Sequence, residues 1–439
     1  MSEKLKKIFT KSIIYTFMNY TLKIFLNPII LLFIPIFLSE DMQGYWYTFG
    51  SIAALTTFAD LGFTTIMTQF AAHEYAFLGF DAESKKFTGK KENLEKIASL
   101  FQFVVKWVSV VMVIAFFIIM GVGCYTFSKE SKFYWFFPWI FYAVSVVIDF
   151  ITQIALSFFE GCNQFEHTQK IRTVSSLGYA VSTIGLLYLG GGLYTLCIAL
   201  IVKSGISIFG MVYKFNNVLK QLLCPVDCNV NWGKKFTKLL GKYAVSWASG
   251  YFAFQLFNPL TFSIYGAKAA GKVGYTLSII QAIYSLANVW MIVAIPQLNM
   301  AVERKEWKKL DRKFLINIGF SLGTYAIGSV LWYIVINVPI INSVVMGRVL
   351  PVYVMIILSI CYLFQMVIYG LAVYLRAHEE EPYMWLSVFS GVFSGVTTFM
   401  ALKFVSVNSV FTGLLFSYVV TMPWAILVFK KKRKEWHIK

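Results

Sequence analysis

Lys23-Ile24-Phe25-Leu26-Asn27-Pro28 opens a stretch that continues through Gly44-Tyr45-Trp46 to Asp60-Leu61-Gly62-Phe63. Around these landmarks the chain is almost wholly apolar, so a lysine and an aspartate lie inside or between two long hydrophobic segments. A charge in such a segment is costly and marks a working site by default. The Asn-Pro and Gly-Tyr pairs return once, as Asn258-Pro259 and Gly274-Tyr275. Fifteen residues separate the pairs in the first copy and fourteen in the second. Both features point to a membrane transporter rather than a soluble enzyme.

Composition agrees. Of 439 residues 58% are hydrophobic and 14% charged, with mean hydropathy +0.67. Soluble domains carry about 25% charged residues. The first apolar segment, Ser12 to Leu38, is too long for a signal-peptide core, and no small-x-small cleavage site follows it. At about 20 apolar residues per crossing, twelve spans are expected: 12–38, 45–71, 97–123, 133–159, 171–189, 194–213, 243–265, 273–298, 314–337, 350–375, 383–402 and 408–429. The glycine run 190–192 makes spans five and six a tight hairpin. The longest polar connection divides the spans six and six. The expected domains are an N-terminal bundle at 1–216, a linker at 217–242, a C-terminal bundle at 243–429 and a basic tail at 430–439.

The net charge of +18 could suggest nucleic acid, but its distribution argues otherwise. With the N-terminus in the cytoplasm, 30 of the 39 lysines and arginines fall in inner segments and 6 in outer loops. That split follows the positive-inside rule and favours anionic inner-leaflet lipid as the partner. Both termini are therefore expected in the cytoplasm, and nucleic acid is not expected as a partner.

The landmark pairs repeat at an offset of about 231 residues, mapping span one onto span seven with the same orientation. This is a parallel repeat of the kind found in transporters. Pro28, Pro35 and Pro259 occupy the first helix of each half and are candidate kink points.

Five charges sit well inside spans, all in the first half: Lys23, Asp60, Lys106, Asp149 and Lys203. At the repeat-equivalent positions Lys23 becomes Phe254 and Asp60 becomes Trp290. Each charge except Asp60 continues a polar stripe at helical spacing. Lys23 precedes Asn27, Lys106 follows Gln102, and Lys203 precedes Ser207. Asp149 leads through Gln153 to Glu160. Such stripes face a bundle interior or a wet cavity. Lys23, Lys106 and Lys203 suit a compact anion such as phosphate or diphosphate. Asp60, Asp149 and Glu160 suit Na⁺ or H⁺ coupling, or salt bridges to the lysines. Ion pairing alone is the bland alternative. Two mid-span acids do not neutralise three lysines, so one lysine is expected to meet an anion or water. No histidine lies at mid-depth. Six cysteines show no metal-site spacing, and no Walker-type phosphate loop or nucleophile constellation appears. The aromatic residues, 18% of the chain, suit interfacial belts, with some free to stack on sugar rings.

Gly44-Tyr45 followed by Asp60-Leu61-Gly62-Phe63, Phe159-Glu160-Gly161-Cys162-Asn163-Gln164-Phe165 closing span four, and Ala270-Gly271-Lys272-Val273-Gly274-Tyr275 before span eight carry a resemblance. In this order the chain resembles the polysaccharide-transport branch of the multidrug/oligosaccharidyl-lipid/polysaccharide (MOP) exporter superfamily, the Wzx-type O-antigen or capsule repeat-unit flippases. Gln69 stands where family members often carry arginine, so a cation's role there does not carry over. The resemblance implies an all-α fold of about twelve transmembrane helices in two six-helix bundles, MATE-like, around a central cavity with alternating access. It implies a lipid-linked oligosaccharide cargo on undecaprenyl diphosphate, moved across a bacterial inner membrane, with membrane lipids and other polysaccharide assembly proteins as candidate partners and no cofactor beyond a coupling ion. Under that reading the cationic first bundle takes the diphosphate. Asn27, Gln153, Gln255, Asn258, Gln281 and Asn288 are candidate sugar or polar contacts. A cation-coupled drug exporter of the same superfamily, favouring acids over lysines, is the alternative; a membrane glycan polymerase or transferase would need large outer loops.

Overall fold

The computed structural model describes residues 26, 28–60, 62–81, 83–128, 134–225, 230–237, 255–378 and 382–438. Lys23 and Asn27 lie outside the described residues. The helices in chain order are α1 (Pro28–Phe37), α2 (Glu40–Ala53), α3 (Thr56–Asp60), α4 (Phe63–Tyr75), α5 (Lys91–Phe127), α6 (Phe136–Gly161), α7 (Phe165–Tyr188) and α8 (Tyr194–Leu223). They continue as α9 (232–237), α10 (Phe257–Tyr265), α11 (Ala267–Ala287), α12 (Val289–Glu303), α13 (Trp307–Val335), α14 (Pro339–Val345), α15 (Val352–Arg376), α16 (Met384–Phe404) and α17 (Thr412–Ile438). Among the described residues seven helices are each long and apolar enough to cross a bilayer. The chain is a multi-pass membrane protein.

The chain divides into two compact units. One holds the described parts of Met1–Phe33 and Ile52–Trp247, the other those of Ile34–Ser51 and Ala248–Lys439. The second unit thus takes α2 up to Ser51, a first-half helix by sequence. Glycine explains the association. A Cβ on Gly44 would strike the backbone carbonyl of Ala267, and one on Gly274 would strike the ring of Tyr47. One on Gly271 would come within 3.0 Å of the Gly44 nitrogen. Gln43 Nε2 seals the crossing by donating to Gly271 O at 2.9 Å and to Arg348 O at 3.3 Å. The Gly-Tyr landmarks of the two copies therefore pack on one another, α2 against α11, as small residues let helix backbones approach in membranes.

Spans two and eight differ from continuous helices. Span two is α2, α3 and α4 in series. Span eight is α11 and α12, joined at Asn288 with a bend of 42°. These breaks lie outside the helices that hold Pro28, Pro35 and Pro259. Pro28 borders residues outside the described set, and Pro259 stands in the first turn of α10, where a missing N–H is harmless. The break before α4 is built by Asp60 and Gly62. Gly62 takes the left-handed φ of 84°. The Asp60 carboxylate accepts the Thr64 N–H at 2.9 Å and the Thr64 hydroxyl at 2.5 Å, capping the new helix.

The connections also carry structure that periodicity missed. The loop after α4 forms an antiparallel hairpin, β1 (Leu78–Asp81) with β2 (Lys86–Gly89). It is pinned to α8: Gln221 donates to Phe87 O at 3.2 Å and accepts the Phe87 N–H at 2.9 Å. The region expected as a linker starts inside α8, which runs to Leu223, and later contains α9. Trp232 of α9 donates its indole N–H to Ser99 at 2.8 Å, and the fully buried Phe236 meets Phe63, Phe70 and Phe103 at 4.9–5.2 Å. The basic tail is the end of α17, tied down where Arg433 pairs with Asp311 at 2.5 Å. Gly190 and Gly192 take positive φ in the turn between α7 and α8, as the glycine run suggested.

Gly44→Ala is expected to destabilise the protein by about 1–3 kcal/mol through overpacking against backbone. Gly50→Ala on the same helix, where a Cβ meets nothing within 4 Å, should be neutral or stabilising. Thermal melts of the two variants in detergent compare them directly.

Candidate functional site

The polar stripe of α6 is the centre of the site. Residues 149, 153, 157 and 160 recur every three or four positions and so share a helix face. Asp149 meets α8: Lys203 Nζ lies 2.8 Å from Asp149 Oδ2, and the Ser204 hydroxyl donates to Oδ1 at 3.3 Å. Gln153 Nε2 donates to the same Oδ1 at 3.2 Å. Gln153 Oε1 in turn accepts from Arg172 Nη1 of α7. Arg172 Nε lies 2.8 Å from Glu160 Oε1, its Nη2 donates to the Ser157 hydroxyl at 3.0 Å, and Gln169 Nε2 reaches Glu160 Oε1 at 3.1 Å.

The result is one unbroken ladder, Lys203–Asp149–Gln153–Arg172–Glu160, across three helices of the first unit. It carries two cations and two carboxylates, so it is formally neutral. The side chains are partly accessible, 23% for Lys203, 16% for Asp149 and 15% each for Arg172 and Glu160. Buried charges of this kind are costly alone; paired and hydrogen-bonded, they persist. Each pair can be opened from one side, because neutralising a carboxylate releases its cation.

The sequence-derived candidates fall into three groups. Asp149, Lys203, Gln153 and Glu160 are in the ladder. Asp60 is a helix cap, with its carboxylate on Thr64. Lys106 is exposed on α5 between the exposed Val105 and Val110, and among the described contacts none joins it to Lys203 or Asp149. The ladder's fourth charge, Arg172, is counted with the inner-loop charges although it stands at the start of the span expected at 171–189. α7 begins at Phe165, so Arg172 sits two turns inside a helix. The recurrence Gln169, Arg172, Ser176 at helical spacing was the available signal.

In the second unit no such ladder forms among the described residues. Asn258 donates to the Ser51 hydroxyl at 2.8 Å, and its Oδ1, like that of Asn288, is buried with no hydrogen-bond partner among the described residues. Gln281 faces the Tyr362 hydroxyl. Gln255 is half-buried just before α10. The five described cysteines are free thiols, and among the described residues no group of His, Cys, Asp and Glu could hold a metal ion.

Asp149→Ala leaves Lys203 without its carboxylate and is expected to cost on the order of 3 kcal/mol. The double variant Asp149→Ala/Lys203→Ala should recover part of that loss in a thermal double-mutant cycle. Asp60→Asn preserves a capping oxygen and should melt near the wild type, whereas Asp60→Ala should lose about 1 kcal/mol.

No protein-family model matches the chain, and no curated protein matches it in sequence. Solved structures match over nearly its whole length. The MATE multidrug transporter DinF-BH superposes with TM-score 0.62 at 14% identity, covering 99% of this chain and 97% of that one. The lipid II flippase MurJ in its inward closed conformation gives 0.60 at 13% identity, over 97% and 90%. A MOP superfamily transporter from Pyrococcus furiosus, described as having a binding pocket of reverse polarity, gives 0.56 at 13% identity, over 98% and 96%. The chain has the all-helical MOP/MATE transporter fold.

Proposed function

We propose that this chain is a flippase that moves undecaprenyl-diphosphate-linked oligosaccharide repeat units from the inner to the outer leaflet of a bacterial inner membrane, for O-antigen or capsule assembly. Its termini lie on the cytoplasmic side, by the lysine and arginine asymmetry. The observation that carries the reading is the ladder: two cations on neighbouring helices of the first unit, each held by a carboxylate and each partly accessible. A diphosphate is a ligand that can compete for them. Arginine's fork matches two phosphate oxygens, and lysine supplies a point charge.

The same ladder supplies a coupling device. A proton on Asp149 or Glu160, or Na⁺ beside either, would weaken its hold on Lys203 or Arg172 and free that cation for cargo. Cargo release would return the cation to its carboxylate. The amides of Asn258, Gln281 and Asn288 are candidates for sugar hydroxyls, and Lys23 and Lys106 for further diphosphate contacts. The fold shared with a lipid II flippase supports a lipid-linked cargo. A cationic drug is disfavoured because Asp149 and Glu160 already hold cations.

In cells that depend on this chain for surface glycan, Lys203→Ala and Arg172→Ala should each lower glycan roughly tenfold or more, the loss of a charge-assisted hydrogen bond. Each variant also leaves a carboxylate unpaired, so glycan is compared at equal protein level, and lipid-linked repeat units should accumulate on the inner leaflet. Full activity in both, and also in Lys23→Ala and Lys106→Ala, would sink the proposal.

A further inference from the structure

A second basic cluster lies away from the ladder, where the β hairpin, the start of α7 and the last third of α8 meet. The helical dihedrals of α8 are interrupted at Phe215, with φ −117° and ψ 19°. Phe215 is fully buried and stacks on Phe159 at 4.3 Å. Around this kink stand three lysines. Lys85, on the hairpin turn, reaches the Tyr213 carbonyl at 3.4 Å and lies 5.0 Å from the centre of the Tyr213 ring. Lys214 extends over the ring of Phe80 at 5.9 Å, within electrostatic range of Lys85 and Lys170. Lys170 pairs with Glu166 at 3.0 Å. His167 packs edge-on to Phe215. Burial first, and then Lys214, hold its pKa down to about 4, so it adds no charge near neutrality.

Lys214 is thus within range of two further ammonium groups and of the Glu166 carboxylate, while the Asp81 carboxylate on the hairpin is turned to Ser84. The arrangement is held by scaffold. Asn217 donates to Ser84 O at 2.8 Å, and Gln221 clamps β2, so Lys85 is fixed against α8. Capping the Tyr213 carbonyl accounts for Lys85, but not for the gathering of Lys170 and Lys214 beside it. Next to the cluster α8 exposes a strongly apolar surface. Phe209 and Tyr213 are 74% and 71% accessible and stack on each other at 6.3 Å. Cations at one end of an exposed aromatic stripe match a lipid, with headgroup above and chains below.

We propose that Lys85, Lys170 and Lys214 form a cradle for the phosphate of a lipid headgroup, at the membrane face bearing the basic loops. Lysines bind phosphate as compact point charges, and basic side chains near an anionic leaflet add affinity one by one. The headgroup is that of an anionic glycerophospholipid or of a polyprenyl diphosphate. The proposal stands apart from the transport reading, since a cradle for resident lipid needs no glycan cargo.

The test is lipid retention by the full-length protein in mild detergent, read by native mass spectrometry. Phosphatidylglycerol and phosphatidylcholine are offered together, and undecaprenyl diphosphate separately. Wild type should retain phosphatidylglycerol or undecaprenyl diphosphate over phosphatidylcholine. Lys85→Gln/Lys170→Gln/Lys214→Gln should lower that retention roughly tenfold or more. Retention of both anionic lipids marks a resident-lipid site, and of undecaprenyl diphosphate alone a cargo entry point; either supports the cradle. Equal retention of phosphatidylcholine would overturn it. So would an unchanged triple variant, or an equal loss in Lys86→Gln/Lys90→Gln/Lys91→Gln on the same loop. Should the triple variant fail to fold, Glu166→Gln should raise retention; no rise would be equally decisive against the cradle.

Discussion

Hydrocarbon offers neither water nor counter-ions, so every charge and every open backbone group within it must find its partner inside the protein. Much of this structure answers that constraint. The Asp149–Lys203 and Arg172–Glu160 pairs, bridged by Gln153, neutralise four charges on three helices. Asp60 uses its carboxylate to close the backbone that Gly62 opens. Hydroxyls along α6 turn back on their own helix, as Ser145 and Thr152 do on the carbonyls of Phe141 and Ile148.

The internal repeat and the chemistry have separated. Both copies keep the Gly-Tyr pair, and both are used as a crossing: Gly44 lies on Ala267, and Gly274 under Tyr47. Both copies also break their second helix, before Gly62 in one and at Asn288 in the other. Only the first copy places charges there. Where Asp60 caps a helix, its counterpart Trp290 donates an indole N–H to Thr324 at 3.0 Å. The shared features are scaffold, and among the described residues the ion-pair ladder lies in the first unit.

This division also limits what the fold can say. The same fold is shared by a multidrug transporter and a lipid II flippase among its structural neighbours, so the fold does not choose the cargo. The choice rests on which side chains reach the site and how they are paired. In this chain the two ladder carboxylates are committed to lysine and arginine.

The sequence by itself determined the membrane class, the placement of most of the described helices, the recurrence of the Gly-Tyr pair, and the α6 stripe from Asp149 to Glu160. These depend on local composition and helical period, which survive without tertiary contacts. The tertiary structure decided what those residues do. It paired Lys203 with Asp149 across 54 positions and drew Arg172, counted with the inner-loop charges, into the ladder. It made Asp60 a cap, left Lys106 exposed on α5, and packed α2 with the second half. Ion pairing was legible beforehand as an alternative, but not which charges pair. A hydrophobic period fixes which face of a helix is buried, while the identity of the facing helix, and so the partner of a buried charge, is set only when the helices pack.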